Sequence, residues 1–143
     1  MSMKKKCKFL LDTNVLIEFT RENPTVVGHV LGVGADKCCL SVISLHELYF
    51  GAQLARERKE EYYEKELRRI ARLLRDFKVL ALEAKGEEYG EVKYALRASG
   101  QMIEEFDMMI AGQAISEGLT VVTDNLKHFG RIEGLHVENW VEQ

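Results

Sequence analysis

The chain has little that would divide it, anchor it or draw it to a polyanion. One proline stands among 143 residues, and no proline- or serine-rich linker, internal repeat or low-complexity tract breaks the sequence, so a single domain spanning 1–143 is expected. The three cysteines, Cys7, Cys38 and Cys39, are odd in number and lack the paired C-x-x-C spacing of a structural zinc site. They fall in predicted strands and read as reduced core thiols of a cytosolic protein. No apolar run approaches the length of a bilayer span, and Asp12 and Asn14 interrupt the run behind MSMKKK too soon for a secretion leader. A cytoplasmic protein without a membrane partner is the expectation. Nor is positive charge in excess: the net charge of −3 gives no global pull toward nucleic acid. Basic residues do gather in RERKEEYYEKELRRIARLLRDF and LKHFGR, which read equally as a local phosphate rim or as solvated surface.

Several chemistries lack their required parts. The P-loop pattern G-x-x-x-x-G-K-[ST] is absent, as is a serine nucleophile elbow. Gly32 and Gly34 form a G-x-G with neither a third glycine nor a strand directly before it. His29, His46, His128 and His136 have no zinc-site spacing.

What is present is an alternation of short apolar runs and amphipathic stretches. Strands are predicted at 8–11, 38–42, 78–82 and 119–123, with a short edge strand within 135–140. After the first strand, Thr13 and Asn14 offer capping oxygens to a helix through VLIEF. Pro24 suits the first turn of a second helix, which Gly28, Gly32 and Gly34 weaken and end. Ser44 is placed to cap a third, with Leu45, Leu48, Tyr49 and Ala52 on one face. The clearest period is Tyr63, Leu67, Ile70, Leu74 and Phe77, spaced four, three, four and three on a highly charged helix. Further helices are expected through EEYGEVKYALRA and over 106–116, the latter ended by Gly118. The alternation predicts a three-layer α/β/α sandwich around a mostly parallel sheet.

Four acidic stations follow strand ends or open the helices after them: Asp12 in FLLDTNVLIEF, Glu47 in SVISLHELYFG, Asp107 in IEEFDMMIAGQA, and Asp124-Asn125 in TVVTDNLKHF. Each alone has a bland explanation. Asp12 reads as a helix cap, Glu47 as a surface glutamate, Asp107 as an acid favoured by the helix dipole, and Asp124-Asn125 as turn residues. Jointly they point elsewhere. Carboxyl ends of neighbouring parallel strands converge on one crevice, and clustered carboxylates need a compensating cation, for which hard oxygen ligands select Mg2+ or Mn2+.

These motifs, in this order and spacing from about residue 8 to residue 140, resemble the PIN-domain ribonucleases, and among them the VapC-type toxins of prokaryotic toxin–antitoxin pairs. The resemblance implies a PIN-like α/β/α sandwich, commonly a homodimer, that cleaves single-stranded or looped RNA with Mg2+ or Mn2+ and is covered by a small antitoxin protein. By motif position it places Asp12, Glu47 and Asp107 at the metal, with Thr123 and either Asp124 or Asn125 completing the site. Asn14 is the polar residue near the first acid. Lys127, His128 and Arg131 are candidate RNA contacts, with Arg56, Lys59, Arg68, Arg69 and Arg72 extending the rim if the long helix borders it. The expected reaction is hydrolysis by an activated water with no covalent enzyme intermediate. Two other readings stand beside it: a non-catalytic protein-binding module of PIN-like fold, and a metal-dependent hydrolase acting on another phosphoester such as DNA.

Overall fold

A computed structural model describes residues 7–142, so the lysine-rich opening MSMKKK lies outside the described residues. The elements in chain order are β1 (Phe9–Leu11), α1 (Thr13–Thr20), α2 (Pro24–Val33), a 3-10 turn (Ala35–Lys37), β2 (Cys38–Ser41), α3 (Val42–Arg58) and α4 (Glu60–Asp76). Then come β3 (Lys78–Leu80), α5 (Glu87–Ala98), α6 (Glu105–Glu117), β4 (Thr120–Val122), α7 (Leu126–Phe129) and β5 (Val137–Glu138). The strands form one sheet in the order β3-β2-β1-β4-β5, and every neighbouring pair is parallel.

The alternation of side chains along each short strand creates two cores. Leu10, Cys39 and Val121 point to one face and pack with Val92, Leu96, Met108, Ile110 and Ala111 from α5 and α6. Their neighbours Leu11, Leu40 and Val122 point to the other and pack with Val15, Leu16, Phe19, Val26, Leu73 and Phe77. Burial on both faces is why these strands read as continuous apolar runs. The result is the expected three-layer sandwich.

Local chemistry sets most element ends. Asn23 Oδ1 accepts from the N–H groups of Thr25 and Val26, and Pro24 occupies the first turn of α2. Gly118 closes α6 in the left-handed region at φ 71°. Gly112 meets a different requirement: a Cβ there would lie 2.8 Å from the Tyr89 backbone, so only glycine lets α5 and α6 approach this closely.

The structure corrects three local expectations. Asp12, rather than Thr13 or Asn14, caps α1, its side chain accepting from Thr13 N–H. Ser41 rather than Ser44 caps α3, because the second strand ends one residue earlier than the apolar run; Ser44 is instead fully buried. In α4 the buried residues are Ile70 and Leu73, whereas Leu74 is 39% exposed. A regular four-three spacing drawn back from Phe77 selects Leu74, but Phe77 lies past the helix in extended backbone and packs on Phe19 with ring centroids 4.9 Å apart. Among the described residues no helix is long and apolar enough to cross a membrane.

Candidate active site

Asp12 sits one residue beyond β1, and its backbone N–H donates to the Val122 carbonyl at 2.9 Å, fastening it between β1 and β4. The side chain is buried, with 6% exposure. Its Oδ1 accepts from Thr13 N–H at 2.8 Å and its Oδ2 from the Thr123 hydroxyl at 2.9 Å. Thr123 Oγ1 in turn accepts from Asn125 N–H at 2.9 Å, so the residue that ends β4 hands one hydrogen bond to the acid and takes another from the following turn.

Glu47 enters from the second turn of α3, where Oε1 accepts from the Thr13 hydroxyl at 2.7 Å. Thr13 therefore holds two acids, one through its backbone and one through its side chain. Asp107 enters from the first turn of α6, with Oδ2 3.4 Å from His128 Nδ1 on α7. The same ring nitrogen lies 2.9 Å from Asn125 Nδ2. One nitrogen cannot accept and donate at once: with the proton on Nε2 it accepts from Asn125, and with Nδ1 protonated it donates to Asp107.

The carboxyls feel one another. Burial pushes Asp12 up from 3.8 to about 6; the bonds from Thr13 and Thr123 oppose that rise, and the charges of Asp107 and Glu47 add to it. Glu47 is also raised, first by burial and then by Asp107 and Glu104, against the Thr13 bond. Burial raises Asp107, His128 opposes it, and Glu104 adds repulsion. Three acids from β1, α3 and α6 thus share one electrostatic environment.

The network gathers Asp12, Glu47, Asp107, Thr123, Asn125 and His128. Asp124, the other candidate for the fourth position, is exposed, and among the described residues no hydrogen bond joins it to the cluster. Thr123 is fully buried, and its hydroxyl donates to Asp12. Asn14 and Lys127 are exposed beside the site. Arg131 Nη1 donates to the carbonyls of Gln101 and Met102, both at 3.2 Å, and so braces the turn before α6. Arg72 pairs with Glu22, beyond the C-terminal end of α1 and therefore about 12 Å of helix from Asp12. That places this part of α4 off the rim. Arg56 and Arg69 pair with Glu60 and Glu66.

Sequence reasoning missed Thr13 and Glu104. Thr13 was visible beside Asp12 but read as a cap, and Glu104 is an exposed acid whose part depends on α6 folding back over the sheet. The carboxyls are gathered rather than closed: among the described residues, no three His, Cys, Asp or Glu side chains form a ready coordination shell.

A parallel open sheet with carboxyls collected beyond its strand ends defines an α/β protein whose site lies in the crevice at the carboxyl edge. The chain belongs to the PIN domain family, whose model matches residues 9–135. It is 36% identical over 135 residues to Ribonuclease VapC2 of Haemophilus influenzae, covering 94% of this chain and 98% of the relative. With the tRNA(fMet)-specific endonuclease VapC of Shigella flexneri it shares 34% over 134 residues, 93% of this chain and 98% of that one. The fold is similar to the crystal structure of DNA-bound VapBC from Salmonella typhimurium, with a TM-score of 0.82 and 32% identity over 94% of this chain and 98% of the other.

Proposed function

We propose that the chain is a divalent-metal-dependent endoribonuclease, hydrolysing RNA phosphodiester bonds as the toxin of a toxin–antitoxin pair. The observation that carries this is the set of mutually repelling acids at the carboxyl edge of the sheet, Asp12 buried and Glu47 and Asp107 half-buried. Such a set is destabilising when ionised alone and is relieved by a cation. The names of the relatives support the choice of RNA and of a protein antitoxin.

The residues fit a hard divalent ion. All three donors are carboxylate oxygens, the hard ligands that magnesium or manganese selects; Glu47 Oε2 and Asp107 Oδ1 lie outside the hydrogen bonds described above, and each Asp12 oxygen accepts one bond and keeps a second lone pair. Asp12, Asp107 and Glu47 would hold the ion, with Asn125 alongside. When bound, the ion supplies Lewis-acid stabilisation of phosphoryl charge and a more acidic water. The protein's own work is orientation: Thr13 fixes the rotamers of two acids at once, Thr123 fixes Asp12, and the Asn125–His128 pair sits against Asp107.

An antitoxin offering Arg or Lys to these carboxylates would neutralise them and block phosphate entry. We further propose a homodimeric, cytoplasmic protein of one PIN-like domain, 1–143; large exposed apolar side chains such as Leu31 and Tyr94 suit protein contacts.

The test is cleavage of matched RNA and DNA oligonucleotides by purified wild type and Asp12→Asn with magnesium, together with manganese titration. Wild type should bind manganese and cut RNA, and Asp12→Asn should not cut. Undiminished cleavage by Asp12→Asn refutes the site, cleavage of DNA alone refutes the substrate, and a wild type that binds no manganese is a binding module.

A further inference from the structure

The cleft has an apolar bank that neither the fold nor the acid cluster requires. Phe106, in the first turn of α6 and one residue before Asp107, is 45% exposed. Its orientation is fixed by Gln113, seven residues later and so within about 20° of it around the helix. Gln113 Nε2 donates to the carbonyls of Leu80 and Ala81, at the end of β3, at 3.1 and 3.2 Å. Phe106 therefore stands on the β3 side of α6, while Asp107 turns toward α7 and His128. Helical side chains lean toward the N-terminus, which carries the Phe106 ring toward the end of α6 that holds Asp107. On α3, Phe50 lies one turn beyond Glu47 on the same face and is 65% exposed.

The opposite bank, at α7, carries exposed Lys127. One bank offers a cation and the other two aromatic faces, with acids between them. A single nucleic-acid strand has the same lateral asymmetry, phosphates along one side and base faces along the other. A duplex hides its base faces in the stack and gains nothing from Phe106.

Resting on the endonuclease reading above, we infer that Phe106 is a base-stacking residue: it receives one unpaired base beside the scissile phosphate.

The test uses short unpaired RNAs of one sequence in which a single abasic position is moved along the strand. Phe106→Ala should raise KM about 10-fold, within the range alanine substitution gives for one base–aromatic stack, with a smaller change in kcat. Phe106→Trp should restore wild-type KM, and Phe106→Leu, which keeps apolar bulk without a ring, should not. At one abasic position wild type and Phe106→Ala should become equal. Anisotropy with the same RNAs in the Asp12→Asn background should show the same position dependence without turnover. Equal KM for wild type and Phe106→Ala on every RNA overturns the assignment while leaving the endonuclease intact. A loss independent of the base, or one confined to binding of a protein partner, also overturns it. A wild type that cleaves no RNA overturns the reading beneath it.

Discussion

Asp12→Asn separates the stability of this protein from its chemistry. Asp12 has a carboxyl near 6 in the fold against 3.8 in the unfolded chain. The folded state therefore binds more protons than the unfolded state between those values, and stability falls as pH rises through that window. Above it the ionised acid costs about 3 kcal/mol, from roughly two pH units at 1.36 kcal/mol each. Asparagine keeps the shape, can accept from Thr13 N–H and can donate to Thr123 Oγ1, but carries no charge. In EDTA at pH 7.5 the variant should be more stable by about 1 to 3 kcal/mol, or roughly 3–10 °C in Tm for a chain of this size. At pH 4.5, where Asp12 is largely protonated in the fold but the unfolded chain is still mostly ionised, the gap should shrink to about a third, and it should close only below 3.8. Calorimetry at both pH values, with urea titration as a check, measures it. A variant no more stable than wild type at pH 7.5, or a gain of equal size at both pH values, refutes the reasoning.

Two other substitutions test the framework of the site. Thr13→Val removes the hydroxyl that donates to Glu47 at 2.7 Å; manganese affinity should fall about 10- to 100-fold by titration calorimetry, the value of a hydrogen bond to a charged group, and Thr13→Ser should restore it. Gly112→Ala drives a methyl to 2.8 Å from Tyr89 backbone, so it should destabilise by about 1–3 kcal/mol in urea unfolding and move α5 off α6.

The layers of this fold were legible because strands buried on both faces have an unmistakable composition. The 12-residue helix from Glu87 to Ala98 matches its sequence pattern end to end, since no competing cap lies nearby. Misreadings occur where two residues compete for one job. Ser41 and Ser44 both suit a cap, and only the strand's length decides; Leu73 and Leu74 both suit the stripe, and only the turn at Phe77 decides. In the site, acids were legible through their place after strands. Their partners were not: Thr13 reaches across 34 positions to Glu47, and His128 across 21 to Asp107, distances along the chain that no local pattern encodes.

The bond between Thr123 and Asp12 spans 111 positions and has a temporal side. During synthesis the first acid emerges early, whereas the strand that fastens it is made roughly 5 to 20 s later at ordinary elongation rates. Until β4 slides into the sheet beside β1, Asp12 has neither the Val122 carbonyl nor the Thr123 hydroxyl to hold it. A growing chain thus has no assembled acid cluster until its last quarter has left the ribosome.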